Sequence, residues 1–142
     1  MSIWKNPISL EQVRQLAKNT MIEHLGIVIT EIGDDYLKAS MPVSAHTHQP
    51  MGILHGGATV ALAETIGSFA SQMAAAPGQQ CVGLEINANH LRSVRSGLVY
   101  AVASPIHIGR STQVWEIRIS DEEGRSVTAS RLTVAVLEQK KL

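Results

Sequence analysis

Between Gly56 and Ala76 the chain reads "GGATVALAETIGSFASQMAAA", and Glu64 is the only charged side chain in that run. Ala58, Ala61, Leu62, Thr65, Ile66, Phe69 and Met73 recur at the three- and four-residue spacing of one broad helix face. The segment predicts a helix of about 20 residues, roughly 30 Å long. Pro77 cannot continue it and Gly78 supplies a stop. Its other face would carry Val60, Glu64, Ser68 and Ser71. Exposed helix faces normally hold several charges; this one holds one, so a second subunit is expected to cover it. Glu64 then has two readings. It is a solvated surface residue, or it is a covered carboxylate, which without partners costs roughly 2–7 kcal/mol and marks the kind of place where catalytic acids and bases are found. The length also suits a membrane span, but Glu64, Gln72, Ser68, Ser71, Thr59 and Thr65 argue against one.

The rest of the chain supplies strands. Ser9 is a plausible N-cap for a helix over about 10–18. Residues 25–32 and 35–43 read as strands around the "GDD" turn at 33–35, and 44–55 as a loop punctuated by Pro50 and Gly52. Further strands are expected at 81–91, 98–106, 112–120 and 126–137, with "DEEGR" at 121–125 as a turn. In 112–120, Trp115, Ile117 and Ile119 alternate with Glu116, Arg118 and Ser120. Two strands, a long helix and four more strands with short connections make an α+β pattern with a mainly antiparallel sheet. A sheet curled around the helix would bury its apolar face, and pairing of sheet edges between two chains predicts a homodimer.

Composition narrows the partners. A chain of 142 residues fits one domain, 1–142, with a real core. Twelve Lys and Arg balance twelve Asp and Glu, so no global attraction to nucleic acid or an anionic membrane is expected. The single Cys81 excludes an internal disulfide and a multi-cysteine metal site, and is expected as a small, buried core thiol. The start, "MSIWKNPISLEQ", lacks a signal-peptide pattern, which points to the cytoplasm. His46-x-His48 has no companion Cys, Asp or Glu at ligand spacing, so no metal is expected. No GxSxG elbow, Walker loop or dinucleotide fingerprint is present.

His55-Gly56-Gly57 opens the helix, where first-turn N–H groups lack partners and the dipole favours negative charge. Without a side chain at Gly56, a ligand oxygen can reach the backbone N–H, as a carbonyl oxygen becoming an oxyanion would. The competing reading is a plain loop-to-helix junction with His55 as a cap. Glu64 lies eight residues further on, about 12 Å along the axis, so one reacting carbon cannot touch both. Either the two are unrelated, or they meet across two chains: two antiparallel helices related by a two-fold axis near residue 60 would bring Gly56 of one chain to Glu64 of the other. "NANHLRS" (87–93) and "HIGRST" (107–112) place Arg92 and Arg110 where they either clamp phosphates or sit as solvated turn residues.

These pieces carry a resemblance. "QPMGILHGG" (49–57), "LAETIGS" (62–68), "VGLEINANHLRS" (82–93) and "HIGRSTQVWEI" (107–117) resemble hotdog-fold acyl-CoA thioesterases with a catalytic carboxylate on the central helix. The likeness is strongest to 1,4-dihydroxy-2-naphthoyl-CoA thioesterases of menaquinone synthesis, then to 4-hydroxybenzoyl-CoA and aryl-carrier-protein proofreading enzymes. It implies a hotdog fold, a homodimer paired again into a tetramer, an acyl-CoA or carrier-protein thioester as substrate, and no cofactor. It implies Glu64 as nucleophile or general base, with Gly56 polarising the carbonyl beside Gln49 and His55. Ser68 would orient water or the leaving thiolate. Gly83 would lie along the pantetheine arm. His90, Leu91, Arg92 and Ser93, with His107, Ile108, Gly109, Arg110, Ser111 and Thr112, would hold the ends of the substrate. Met51 stands where close relatives often carry Phe, and the chain has only two Trp, two Tyr and one Phe, so little aromatic lining is available. Two rival activities fit the same fold: a hydratase or dehydratase of acyl thioesters, and a non-catalytic acyl-CoA-binding module that would not need Glu64.

Overall fold

In the computed structural model, which describes residues 1–139, the order is α1 (Leu10–Ala17), α2 (Met21–His24), β1 (Val28–Ile32), β2 (Leu37–Pro42), α3 (Gly56–Ala74), β3 (Gln79–His90), β4 (Leu98–Ile108), β5 (Thr112–Ser120) and β6 (Ser126–Glu138). The expected single domain, 1–142, includes residues 140–142, which lie outside the described ones. All six strands form one antiparallel sheet in the order β1-β2-β4-β5-β6-β3. The chain leaves the sheet after β2, runs through α3, and returns at the far edge as β3. That crossover lays α3 across the concave face, packed against β2 through β6. The α+β hotdog reading holds.

Alternation builds the core. In β5, Gln113, Trp115, Ile117 and Ile119 point inward, and in β2 Leu37, Ala39 and Met41 do. They meet Leu62, Ile66, Ala70 and Met73 of α3. Each large side chain removed from water in this way contributes about 1.5–3 kcal/mol. Gly67 sets how closely helix and sheet approach, since a methyl group there would stand 2.6 Å from Cδ2 of Leu132. Trp4 closes one end of the core. Its ring stacks on the fully buried Trp115 with centroids 6.1 Å apart, and its Nε1–H donates to the Gly33 carbonyl at 2.6 Å.

Several expectations needed correction. Helix α3 ends at Ala74, not Ala76, and Gly78, at φ +85, makes the turn beyond it. Ala61 and Thr65 are not core residues; they are half-buried and line a groove, and Phe69, also half-buried there, packs against the edge of the core. Ser71 does not share the outer face with Glu64. It is fully buried, its hydroxyl donating to the Ser68 carbonyl at 2.9 Å while its own carbonyl accepts from Gln113 at 3.3 Å. Cys81 sits at the edge of the core, not inside it. Its thiol donates to the Ser71 carbonyl at 3.4 Å, and burial pushes its pKa up. Helix α2 was not foreseen. It is one turn long, capped by the Thr20 hydroxyl, which accepts from the Ile22 N–H. A four-residue helix is too short to show a periodicity.

The β5–β6 turn is organised by Asp121, which accepts from the backbone N–H groups of Glu123 (3.0 Å) and Arg125 (2.9 Å) and from Nε of Arg125 (2.8 Å). Burial raises its pKa, but the bonds from Arg125 and Glu123 outweigh that and hold the carboxyl below its ordinary value. A depressed carboxylate stabilises the fold above its unfolded pKa and loses that stabilisation as pH falls through the folded value. Asp121→Asn should therefore lower the urea midpoint at neutral pH, with the gap to the native protein closing on acidification below the ordinary carboxylate range. Equal gaps at neutral and strongly acidic pH would contradict this role.

Candidate active site

The N-terminus of α3 is held by the loop before it. The Leu54 N–H donates to Val94 and the His55 N–H to Thr47, each at 2.8 Å, which anchors the entry to the helix. His55 is the N-cap: its Nδ1 accepts the Gly57 N–H at 2.7 Å. The two glycines have separate local reasons. A methyl group at Gly57 would stand 2.9 Å from Nδ1 of His55, and one at Gly56 would stand 2.9 Å from Nε2 of His90. The cap reading of His55 thus holds, and capping leaves its Nε2–H as the free donor. Gly52, at φ +75, turns the preceding loop so that Gln49 and Ile53 pair through a 2.8 Å backbone bond. The Gln49 side-chain oxygen accepts the Met51 N–H, which leaves its amide N–H groups without a partner among the described residues.

Gln49 and Gly56 meet on one cavity of about 330 Å³, lined also by Ile53, Leu54, Thr59, His90, Leu91, Arg92, Ser93 and Val127. It holds no carboxylate. Its polar lining is rich in N–H donors and it lies at the positive end of α3, so it suits an oxygen that gains negative charge.

Glu64 is elsewhere. It lines a groove of about 650 Å³ along the opposite side of α3, with Gly57, Val60, Ala61, Thr65, Ser68, Phe69 and Gln72 from the helix and Met21, Ile22, Leu25 and Ile27 from α2 and the residues after it. The carboxylate is half-buried and forms no ion pair or hydrogen bond among the described residues. Gln72 is committed: its amide donates to the Gln79 carbonyl at 2.8 Å and accepts from the Cys81 N–H at 3.0 Å. Glu64 therefore stands as an uncommitted carboxylate in a mainly apolar groove. Gly83, on edge strand β3, faces it: a methyl group there would stand 2.9 Å from Oε1 of Glu64. The β3–β6 register shifts between Gly83 and Glu85, and Leu84 projects into solvent beside it.

The 107–112 segment lies at the other end of the helix. Ile108, Gly109 and Arg110 share a cavity of about 260 Å³ with Lys5, Ala74, Ala75 and Ala76. Its turn is closed by the Gly109 N–H on the Thr112 carbonyl at 2.8 Å and tied to β6 by the Val136 N–H on the Ser111 carbonyl at 2.9 Å. His107 packs against Gly109. Arg92 and Arg110 take part in no ion pair among the described residues. One chain thus brings together Gln49, Gly56, His90, Leu91, Arg92 and Ser93. It keeps Glu64 and Ser68 apart from them, and residues 107–112 apart from both. Sequence reasoning missed Thr59, Val127 and the α2 wall. Nothing in their local pattern distinguishes them from ordinary turn, strand or core residues.

The thioesterase superfamily model matches residues 51–128, a span that contains Gly56, Glu64, Gly83 and His90. The chain belongs to the thioesterase superfamily. It is 53% identical over 135 residues to the proofreading thioesterase EntH of Cronobacter sakazakii, covering 95% of this chain and 98% of that protein. Among solved structures, the thioesterase HI1161 of Haemophilus influenzae superposes with a TM-score of 0.95 at 50% identity, over 98% of this chain and 97% of that one. The thioesterase PA1618 of Pseudomonas aeruginosa, solved as its Q49A variant, superposes with a TM-score of 0.94 at 49% identity, over 96% of this chain and 99% of that one. The protein is a thioesterase, and its site must hold a thioester carbonyl, a nucleophile or base, and a leaving thiol.

Gly83 gives a local test of the carboxylate. Gly83→Ala should push Oε1 of Glu64 from its place and lower kcat by about ten- to a hundredfold, with the circular dichroism spectrum and melting temperature near those of the parent. Full activity in a variant shown to be folded would mean that the Glu64 position seen here is not the working one.

Proposed function

We propose that this thioesterase hydrolyses an acyl-CoA thioester in a site shared by two subunits, with Glu64 from one chain and Gln49, His55 and Gly56 from the other. The observation that carries this reading is the separation within one chain of the only uncommitted carboxylate of α3 from the donor-lined cavity at its N-terminus. Eight residues of helix put the two about 12 Å apart, too far for one carbonyl carbon. A two-fold axis near residue 60 joins them. The exposed edge of β3 supports such a pairing, since Val82 (39% exposed) and Leu84 (62%) lie on a long edge strand with one side open, of the kind that pairs with another chain. A further pairing of dimers into a tetramer follows from the family resemblance.

In the assembled site the thioester oxygen accepts from the Gly56 N–H, and Gln49 and His55 orient it. The acyl group lies in the groove between α2 and α3, whose mainly apolar walls favour an uncharged acyl chain or ring. An aryl-CoA such as 1,4-dihydroxy-2-naphthoyl-CoA is the substrate the sequence resemblance implies, and a place in menaquinone synthesis goes with it. Similarity to a proofreading thioesterase favours a second reading, removal of wrongly loaded acyl groups, in which the pantetheine arm of a carrier protein replaces CoA. Gly83 flanks the arm, and Arg92 and Arg110 meet the phosphates, each from the subunit that brings it to the site.

The chemistry needs only a polarised carbonyl and an activated oxygen. Glu64 attacks the carbonyl carbon and the C–S bond breaks to release the thiolate, giving an acyl anhydride that water then opens, or it takes a proton from a water whose direct attack expels the thiolate. Ser68, one turn beyond, orients that water. Thiol release from a panel of aryl- and alkyl-CoA esters should collapse in Glu64→Ala by at least about a hundredfold. Unchanged binding with no release in either protein would mean a binding module, and a new double bond without free thiol would mean a hydratase or dehydratase. In a single turnover in ¹⁸O-water, label in Glu64 would favour attack by the carboxylate, since water enters Glu64 only through an anhydride opened at its own carbonyl, and label in the acid product alone would count against it.

A further inference from the structure

His90 and Thr128 are partners across the β3–β6 ladder, and Nδ1 of His90 stands 3.3 Å from Oγ1 of Thr128. Thr128 is only 2% exposed. A buried hydroxyl that donates to nothing costs about 1–3 kcal/mol. Among the described residues, the His90 ring nitrogen is the one partner its oxygen has. The hydroxyl therefore donates to Nδ1. A neutral imidazole that accepts at Nδ1 carries its proton on Nε2. That Nε2 is the atom a methyl group at Gly56 would meet at 2.9 Å. His90, Gly56 and Gln49 line one cavity, so the proton fixed by Thr128 is delivered to the rim where the Gly56 N–H is also found.

We propose that Thr128 is a positioning residue of the thioesterase reaction: it sets the Nε2–H tautomer of His90 and holds that N–H beside the Gly56 N–H as a second donor to the thioester oxygen. The inference rests on the reading of this cavity as the carbonyl-binding half of the site. A donor held in place before reaction stabilises charge that develops only in the transition state, so it acts on kcat more than on KM. Thr128 itself touches no substrate; it acts through His90. A purely structural role, one cross-strand contact near a sheet end, would leave the tautomer and the kcat-to-KM split unaffected.

Nitrogen-15 NMR of the native protein should show His90 as the Nε2–H tautomer; an Nδ1–H tautomer would overturn the proposal without any variant being made. Thr128→Val keeps the shape and removes the hydroxyl. It should lower kcat about tenfold with KM within about twofold, while Thr128→Ser restores kcat. In a His90→Ala background, Thr128→Val should cause no further loss. Unchanged kcat in Thr128→Val, or an equal added loss without His90, would overturn the proposal. If Thr128→Val fails to fold, the tautomer of the native protein and of Thr128→Ser decides. Glu64→Ala run alongside separates the two levels: full activity in that variant would remove the carboxylate mechanism, whereas the His90 tautomer is read in the resting protein.

Discussion

Leu62, Ile66, Ala70 and Met73 pack α3 onto the concave face of the sheet, and that contact determines where every functional group stands. A helix of this length can be covered by one curled sheet on only part of its circumference. The side bearing Gly57, Val60, Ala61, Glu64, Thr65 and Ser68 is left as an open groove. Gly67 lets the helix lie close against Leu132, and Gly83 leaves room for the Glu64 carboxylate at the sheet edge. The chemistry of the chain is thus a by-product of how its most apolar segment is packed. The helix supplies its N-terminus at one end and a lone carboxylate midway, and the β4–β5 loop with Arg110 lies at its other end.

That layout separates charge by function. The donor cavity carries N–H groups and no carboxylate, which suits an oxygen gaining negative charge. The groove carries a carboxylate and little other polarity, which suits an apolar acyl group and a base or nucleophile with no competing partner. Placed side by side in one chain, the two would tend to pair and neutralise each other. Held apart along the helix, they would meet in the proposed site only when a second chain and a substrate bring them together.

Much of this was legible in the sequence because the signals were local and strong. The run from Gly56 to Ala76 announces a helix through its spacing, and Trp115, Ile117 and Ile119 announce a strand through theirs. Glu64 stands out because its neighbours are so uniformly uncharged. The "HGG" junction was legible as a helix start, but the separate reasons for its glycines were not, since they depend on His55 and on His90, which reaches Gly56 from a different strand. Ser71 was misplaced because a helical period drawn at 100° per residue does not say where the sheet ends around the helix. Ala61 and Thr65 were assigned to the core for the same reason. Helix α2 and Thr128 were invisible because one is too short for a pattern and the other matters only through a tertiary contact.

The central claim is that each site takes Glu64 from one subunit and Gln49 from the other. Glu64→Ala and Gln49→Ala chains, each inactive alone, would be mixed in equal amounts under conditions where subunit exchange is demonstrated by mass labelling. Half of the resulting dimers are mixed, and each mixed dimer regenerates one intact site, so thiol release should recover to about a quarter of the wild-type rate. No recovery after complete exchange would mean that each chain builds its site alone, and the two-subunit account would be wrong.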